Sequence, residues 1–337
     1  MPTLATQKPP GIRIDPVASS LVGHPIPTVA VKTLAFDKQG KHLVAGDGNG
    51  HLTIWRLADP KHPTTIKAHD DWAFSVAFSP DGKMIATGGG DNLVRLWNVA
   101  TGKQLRELAA HTDDVHGVAF AAAGKILASG SDDKTLILWD LEQDSKQTIT
   151  GHKRQITHVD ASPDGKTVAT ASRDSTVRHW NAATGDLIRE LKGHTKDVLA
   201  AVFSPDGATL ATASYDGTAI LWDVATGKHL QSFEGHTDWI FALAFHPHGK
   251  MLATGAKDKT LRLWDIKTGD EKHLEQFGSD VSSVVFSPDG RQIAVATSKG
   301  ETWLAPFENG KPGKRELLGI AIKIAPAKPA AAAQPSK

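Results

Sequence analysis

The apolar positions of the chain fall into short runs that are too brief for helices and are separated by turn residues. Runs such as Val76–Phe78, Met84–Thr87 and Val94–Trp97 are rich in branched or aromatic side chains, which favour strands. Between such runs stand turn signals, among them Asp216-Gly217 and the repeated tripeptide Pro-Asp-Gly. No long helical periodicity lies between them. The pattern predicts an all-β protein built from short antiparallel strands.

The same pattern recurs with a period of about 42 residues, which is marked by tryptophan. Six of the nine tryptophans keep this spacing: Trp55, Trp97, Trp139, Trp180, Trp222 and Trp264. A histidine lies 28 residues before each of the last five, and an aspartate lies six residues before each of them. Four short strands per repeat cannot bury both of their faces, so successive repeats must stack. If each repeat forms one sheet, called a blade, then a closed ring of blades leaves no sheet face uncovered at either end of the stack.

Each repeat also carries short motifs in a fixed order. Gly193-His194 is followed by Ser204–Gly207, by Asp216 and by Leu221–Asp223. This order resembles the WD-repeat family of β-propellers, and the resemblance covers nearly the whole chain. It implies an all-β fold, a seven-bladed β-propeller of four-stranded antiparallel blades, with the ring closed by a terminal strand.

The resemblance divides the chain into three parts and leaves the closing strand open. We expect an N-terminal lead at residues 1–11, one propeller at residues 12–318 and a flexible Ala/Pro/Lys-rich tail at residues 319–337. Residues 17–23 are similar to the strand that leads into each Gly-His pair, and we favour them as the closing strand. Residues 314–319 carry a similar pattern and are the alternative, and both segments together would make a five-stranded blade.

The resemblance also implies a structural role for the repeated polar residues. In WD-repeat blades the histidine, a strand serine or threonine, the turn aspartate and the tryptophan form a buried hydrogen-bonded chain, in which each group satisfies its neighbour. Five recurrences at one spacing indicate a structural device rather than catalytic triads, so no catalytic residue is predicted. The expected network comprises His69, Asp91, Trp97, His111, Asp133, Trp139, His152, Asp174, Trp180, His194, Asp216, Trp222, His236, Asp258 and Trp264.

Two repeats depart from the pattern. The first has Asn49 at the aspartate position. The seventh has Phe277, Lys299 and Ala305 at the histidine, aspartate and tryptophan positions. Because it lacks the polar chain, we expect the seventh blade to be the weakest and to depend on ring closure.

Composition excludes several kinds of chemistry. The chain has no cysteine, so disulfides, thiolate catalysis and cysteine-ligated metal are ruled out. Its 38 basic and 37 acidic side chains nearly cancel, which does not favour nucleic acid as a partner. There is no apolar run long enough for a transmembrane helix and no signal-peptide pattern, which favours a cytoplasmic protein. Nucleotide-loop, metalloprotease and serine-hydrolase motifs are missing, so we expect neither an enzyme nor a cofactor or metal.

A partner face is predicted from the family resemblance. In WD-repeat proteins the residues three and five after the histidine, and the residue before the turn aspartate, surround the upper mouth of the central channel. Aromatic and arginine side chains at such positions are typical interface anchors. The candidate partner-binding residues are Trp72, Phe74, Asp114, His116, Arg173, Tyr215, Trp239, Phe241 and Lys257.

These residues lead to three hypotheses of function. We favour a non-enzymatic scaffold that binds a protein or peptide segment, as a monomeric propeller within a larger complex. Aromatic rings beside Asp114, Asp132, Asp197 and Asp280 would suit a basic segment. The alternative is a small molecule or metal ion in the central channel, with His116 and the carboxylates of the same face as ligands. A third hypothesis is an accessory or sensor subunit of a larger complex.

Overall fold

The computed structural model describes residues 29–320, and within them the chain is almost entirely strand. It contains 29 strands, grouped in seven antiparallel sheets. The single helical element of this part is a short 3-10 turn at Ala122–Gly124. Within residues 29–320 no helix is long and apolar enough to cross a membrane. The predicted all-β architecture of seven antiparallel blades is confirmed.

Blades 1 to 4 use the first sixteen strands in chain order. They are β1 (Val31–Phe36), β2 (His42–Asp47), β3 (His51–Arg56), β4 (Asp59–Lys67), β5 (Ala73–Phe78), β6 (Met84–Gly89), β7 (Leu93–Asn98), β8 (Gln104–Ala109), β9 (Val115–Ala121), β10 (Ile126–Ser131), β11 (Leu136–Asp140), β12 (Ser145–Ile149), β13 (Ile156–Ala161), β14 (Thr167–Ser172), β15 (Thr176–Asn181) and β16 (Leu187–Lys192).

Blades 5 to 7 use the remaining thirteen strands. They are β17 (Val198–Phe203), β18 (Thr209–Ser214), β19 (Ala219–Asp223), β20 (His229–Phe233), β21 (Ile240–Phe245), β22 (Met251–Ala256), β23 (Thr260–Asp265), β24 (Glu271–Gln276), β25 (Val281–Phe286), β26 (Gln292–Thr297), β27 (Glu301–Glu308), β28 (Lys311–Pro312) and β29 (Glu316–Ile320).

The blades form a closed ring around the first strand of each blade. These innermost strands contact those of the neighbouring blades in the order β1, β5, β9, β13, β17, β21 and β25, and β25 contacts β1 again. Within a blade each strand pairs with the next along the chain, from the centre to the rim, except that β27 of blade 7 pairs with both β28 and β29. The turn sequences are local, so every blade adopts the same meander.

The core lies between the blades rather than inside any one sheet. The second strand of a blade is covered by neighbours on both sides, so nearly every residue of it is buried; β18, with sequence TLATAS, is an example. Continuous small and branched side chains suit this position better than an alternating pattern. In one such interface Leu210 and Ile220 pack beside Leu191 and Trp222. Sheet faces that a single blade leaves bare are thereby buried.

The Ser-Pro-Asp-Gly loops hold the turn between the first and second strands. In blade 5 the hydroxyl of Ser204 donates to Asp206 at 2.6 Å and accepts the N–H of Thr209 at 2.9 Å. Gly207 has a φ of 71°, a left-handed conformation that favours glycine. These contacts explain the repeated Ser-Pro-Asp-Gly motif by its structural role in the turn.

The ring closes between blades 7 and 1, a junction called the seam below. The outer strand of blade 7 is β29, which pairs with β27 and was the alternative of the two predicted closing segments. It extends to residue 320, two residues past the predicted end of the propeller. The favoured segment, residues 17–23, lies outside the described residues, as do the predicted lead and most of the tail.

Across the seam, β29 takes the place that an outer strand has in the other blades. A Cβ on Gly319 would lie 3.1 Å from the ring of Trp55, as a Cβ on Gly193 would lie 2.7 Å from Trp222. On the inner side, Ser283 Oγ accepts the N–H of Leu34 at 3.1 Å. The last blade thus meets the first in the same register as any other pair of neighbours.

Candidate functional site

The polar chain expected in each blade is seen most simply in blade 5. The indole N–H of Trp222 donates to Thr212 Oγ1 at 2.9 Å, and Thr212 Oγ1 lies 2.8 Å from Nε2 of His194. Nδ1 of His194 lies 2.9 Å from Asp216 Oδ2. All four groups are satisfied if a neutral imidazole donates from Nδ1 to the carboxylate and accepts the threonine hydroxyl at Nε2. The chain therefore fixes one tautomer of the histidine.

Four more blades contain the same chain. Distances from the histidine Nε2 to the hydroxyl are 2.7–2.8 Å, and those from Nδ1 to the carboxylate are 2.7–2.9 Å. The sets are His69, Thr87, Asp91 and Trp97; His111, Ser129, Asp133 and Trp139; His152, Thr170, Asp174 and Trp180; and His236, Thr254, Asp258 and Trp264.

The electrostatics of these chains suit a structural role. Burial acts to raise the pKa of the five carboxyls, but hydrogen bonds from histidine and neighbouring side chains outweigh it and hold the pKa well below its usual range. The linking hydroxyls of Thr87, Ser129, Thr170, Thr212 and Thr254 are fully buried. A hydroxyl that already accepts an indole N–H and has no access to solvent cannot attack a substrate. The arrangement stabilises the blades and offers no catalytic nucleophile.

Blades 7 and 1 lack the polar chain, and blade 7 has apolar and cationic contacts in its place. Val295 and Ala45 stand where blades 7 and 1 would carry the linking hydroxyl. In blade 7 the guanidinium of Arg315 lies 4.3 Å from the ring centre of Phe277 and 4.9 Å from that of Trp303. The same guanidinium donates to Glu275 at 2.8 Å. Arg315 lies just before β29 and thereby ties the outer strand of blade 7 to β24 of blade 6, a role that the sequence did not single out.

The positions predicted for the partner face come together in every blade. The N–H of the residue before the turn aspartate, or its equivalent, donates to the carbonyl of the residue three after the histidine position, at 2.8–3.0 Å. The seven bonds join Gly48 to Ala30, Gly90 to Trp72, Asp132 to Asp114, Arg173 to Gln155, Tyr215 to Asp197, Lys257 to Trp239 and Ser298 to Asp280. Equivalent ends of all blades share one side of a ring, which is called the upper face here.

A first aromatic cluster lies on blades 2 and 3 of the upper face. The rings of Trp72 and Phe74 are stacked with their centres 5.7 Å apart, and the ring of Phe74 lies 4.3 Å from that of His116. All three side chains are half-buried. Asp114 and Asp132 lie beside the imidazole, and His116 Nε2 is 3.1 Å from Asp132 Oδ1. This cluster is acidic.

A second aromatic cluster lies on blades 5 and 6. Tyr215 and Trp239 stack with their centres 3.9 Å apart, and Phe241 meets Trp239 edge to face at 6.3 Å. Lys257 Nζ lies 3.8 Å from the ring centre of Trp239, so the chain supplies its own cation there. Burial raises the pKa of Tyr215, and the charge of Arg173 opposes that shift. Lys257 also pairs with Asp238 at 3.5 Å, and Arg154 pairs with Asp197 at 3.0 Å, so the positive balance of this cluster comes from Arg173. The second cluster is therefore weakly basic, whereas the first is acidic.

Sequence reasoning missed two ionisable residues on the innermost strand of blade 4. Asp160 Oδ2 accepts the N–H of Phe203 in blade 5 at 2.8 Å, and burial raises the pKa of Asp160 to about 6. Burial lowers the pKa of His158 to about 4. The available signal was composition, because the other blades carry Ala or Val where Asp160 stands and Thr, Ser, Gly or Ala where His158 stands.

Comparison with known proteins identifies the repeats. The family described as "WD domain, G-beta repeat" matches residues 16–56, 60–98 and 102–140. The family described as "IFT122 first beta-propeller" matches residues 162–315. A Notchless protein homolog of Arabidopsis thaliana is 49% identical over 43 residues, which is 13% of this chain and 9% of the length of that relative. A match this short shows that the two chains share a repeat, and the activity of the whole relative does not follow from it.

Fold, repeats and comparisons agree on the class of protein. The chain belongs to the WD-repeat family and forms a seven-bladed β-propeller. Propellers of this family are typically protein-interaction scaffolds, and they are generally not catalytic.

Proposed function

We propose that this propeller is a non-enzymatic scaffold that binds a protein or peptide segment on its upper face. The observation that carries the proposal is the second aromatic cluster, Tyr215, Trp239 and Phe241. Its rings are half-buried and contact one another at the end of the blades, and they are not members of the polar chains that stabilise the strands. Aromatic side chains in such positions are typical anchors of interfaces.

The division of charge on the upper face defines the partner further. Lys257 lies over Trp239, and Arg173 is close to Tyr215, so the second cluster favours an apolar or acidic group. Near the first cluster the carboxylates of Asp114 and Asp132 favour a basic group. A segment that reaches both clusters would therefore carry opposite charges at its two ends.

The experiment compares two triple variants as baits in affinity capture from lysate of the source organism. The face variant is Tyr215→Ala/Trp239→Ala/Phe241→Ala. The matched control is Leu105→Ala/Ile188→Ala/Leu230→Ala, which removes exposed apolar side chains from the outer strands instead. Circular dichroism and thermal melting confirm that each bait is folded.

We expect proteins captured by the wild type to be lost from the face variant and retained by the control, in quantitative mass spectrometry. Truncation of anchors in a well-packed interface costs about 2 kcal/mol or more each, which is enough to abolish capture. Retention by the face variant together with loss from the control would refute the proposal and place the interface on the rim.

A further inference from the structure

Three side chains of blade 3 converge at one point of the upper face. Asp114 and His116 lie at the start of the innermost strand β9, and Asp132 lies just after β10. The backbone bond from Asp132 N–H to the carbonyl of Asp114, 2.9 Å long, brings the two ends together. One ligand atom of each side chain lies within 4.8 Å of the other two. A tetrahedral site with bonds of ~2.1 Å has edges of ~3.4 Å, so the side chains would have to close in by up to ~1.4 Å around an ion.

This combination of residues is confined to one blade of the seven. Blade 3 has Asp, His and Asp at the three positions of the upper face. The triplets of the other blades are Ala30, Lys32 and Gly48; Trp72, Phe74 and Gly90; Gln155, Thr157 and Arg173; Asp197, Leu199 and Tyr215; Trp239, Phe241 and Lys257; and Asp280, Ser282 and Ser298. The propeller geometry thus requires no metal-binding residue at these positions, and the cluster needs its own explanation.

The contact between His116 and Asp132 is itself unusual. Their closest atoms, Nε2 and Oδ1, are 3.1 Å apart, yet Oδ1 is shielded from solvent and has no hydrogen bond within residues 29–320. A buried carboxylate oxygen without a hydrogen bond is costly. A cation between the two atoms would satisfy both of them. The polar chain of the same blade offers a contrast, because there His111 and Asp133 form a regular hydrogen bond of 2.8 Å.

The surroundings hold the cluster in place and concentrate negative charge on it. The ring of Phe74 packs on the imidazole of His116 with the centres 4.3 Å apart, which limits its rotation. Burial raises the pKa of Asp114, and the carboxylates of Asp113, Asp132 and Asp71 raise it further against the opposing effect of His116. The side chains of His116 and Asp132 remain 18% and 17% exposed, so an ion can enter from solvent.

We infer that Asp114, His116 and Asp132 form a binding site for a divalent transition-metal ion. One imidazole and two carboxylates are ligands that zinc and its neighbours in the first transition row accept, whereas calcium prefers an all-oxygen set of six or more ligands. Three protein ligands leave at least one position of a tetrahedral ion open toward the upper face. The inference does not depend on the identity of a protein partner.

The test measures Zn²⁺ binding to the full-length chain, without an affinity tag, by titration calorimetry at pH 7.5. We expect one equivalent to bind to the wild type with higher affinity than any other site, and Ca²⁺ in excess to leave this binding unchanged. Replacement by Co²⁺ should give visible absorption bands, which Zn²⁺ then removes. Absence of a single tight equivalent in the wild type would overturn the inference without any variant.

Four variants locate the site. His116→Gln and Asp132→Asn each remove one ligand, so we expect the affinity for Zn²⁺ to fall at least ~10-fold. Asp280→Asn changes the position equivalent to Asp114 in blade 7, and His62→Ala removes an exposed histidine that pairs with Asp59. Both controls should bind as the wild type does. Unchanged binding in both ligand variants, or an equal loss in the controls, would contradict the inference.

Discussion

In blades 2 to 6 a threonine or serine hydroxyl links a histidine to a tryptophan, whereas blades 7 and 1 have Val295 and Ala45 at the same position. The five regular blades contain buried polar chains in which each group satisfies its neighbour. Blade 7 instead packs against blade 6 through Phe277, Trp303 and the guanidinium of Arg315. The comparison teaches that one ring geometry accepts two kinds of packing. The two kinds of packing should also respond differently to pH, because only the polar chains of blades 2 to 6 contain buried ionisable pairs.

Acidification should give the largest difference in stability between the two kinds of packing, because it should destabilise the polar chains of blades 2 to 6 first. The five turn aspartates have a folded pKa below their unfolded value of about 3.9, so they stabilise the fold above that pH and lose this contribution as the pH falls through the folded pKa. The pKa of His236 is lowered by burial, so its contribution is present above about pH 6.5 and declines below it.

The measurement is the urea midpoint between pH 8 and pH 3, with hydrogen exchange resolved by blade. We expect the midpoint to fall gently below pH 6.5 and steeply below pH 4. Blades 2 to 6 should lose protection in acid before the contacts of Arg315 do. A midpoint that stays constant down to pH 3 would show that the carboxylates contribute nothing.

The largest effect of a single substitution is expected inside a regular blade. His194→Leu leaves the hydroxyl of Thr212 and the carboxylate of Asp216 buried without their partner, which should cost about 3 kcal/mol of unfolding free energy. Phe277→Leu, at the equivalent position of blade 7, loses only packing and should cost about 1 kcal/mol. Urea unfolding of both variants measures the difference. Equal losses of unfolding free energy would mean that the polar chain stabilises its blade only through packing.

Arg315 is the corresponding point of weakness in blade 7, where it holds the outer strand against blade 6. Arg315→Ala removes the cation from two aromatic rings and from Glu275, and we expect a loss of about 1–2 kcal/mol, with increased hydrogen exchange in β29. Arg315→Lys keeps the charge but not the planar stacking, so it should restore less than half of the loss. Full restoration by lysine would assign the effect to charge alone.

The smallest effect would come from giving blade 1 part of the polar chain. The indole Nε1 of Trp55 has no hydrogen bond within residues 29–320, because Ala45 stands where Ser129 accepts the N–H of Trp139 at 2.8 Å. Ala45→Ser should therefore raise the unfolding free energy by about 1 kcal/mol. The reverse change, Ser129→Ala, is the control and should lower it by more, since His111 also loses a partner. A destabilised Ala45→Ser variant would indicate that Trp55 is satisfied elsewhere.

The repeat in the sequence predicted the architecture well because its signals are local. The spacing of Trp97, Trp139 and the later tryptophans fixed the number of blades and the strand register, and the WD-repeat family was recognised from motifs within single repeats. Closure was harder to predict because residues 17–23 and 314–319 carry similar patterns. The pairing of β29 with β27 depends on contacts between distant parts of the chain.

The predicted partner face shows the same limit of prediction from the sequence, because contacts between distant parts of the chain decide it. Position within the repeat placed Trp72 and Trp239 at equivalent ends of their blades, and the structure adds which side chains meet. Lys257 covers Trp239 at 3.8 Å, while the corresponding residue of blade 2 is Gly90, and the ammonium over Trp72 comes instead from Lys32 of blade 1, at 5.3 Å. The opposite charges of the two clusters follow from these contacts between loops, which no single repeat encodes.

The sequence by itself thus determined the all-β fold, the seven repeats and the members of the polar chains, since these depend on residues a fixed distance apart along the chain. Only the tertiary structure decided that β29 completes blade 7 and that Arg315 ties it to blade 6. It also decided which ionisable groups are buried between blades 4 and 5, and that Asp114, His116 and Asp132 converge. The physical reason is that these outcomes depend on the packing of loops and neighbouring blades, where distance in space is not set by distance in sequence.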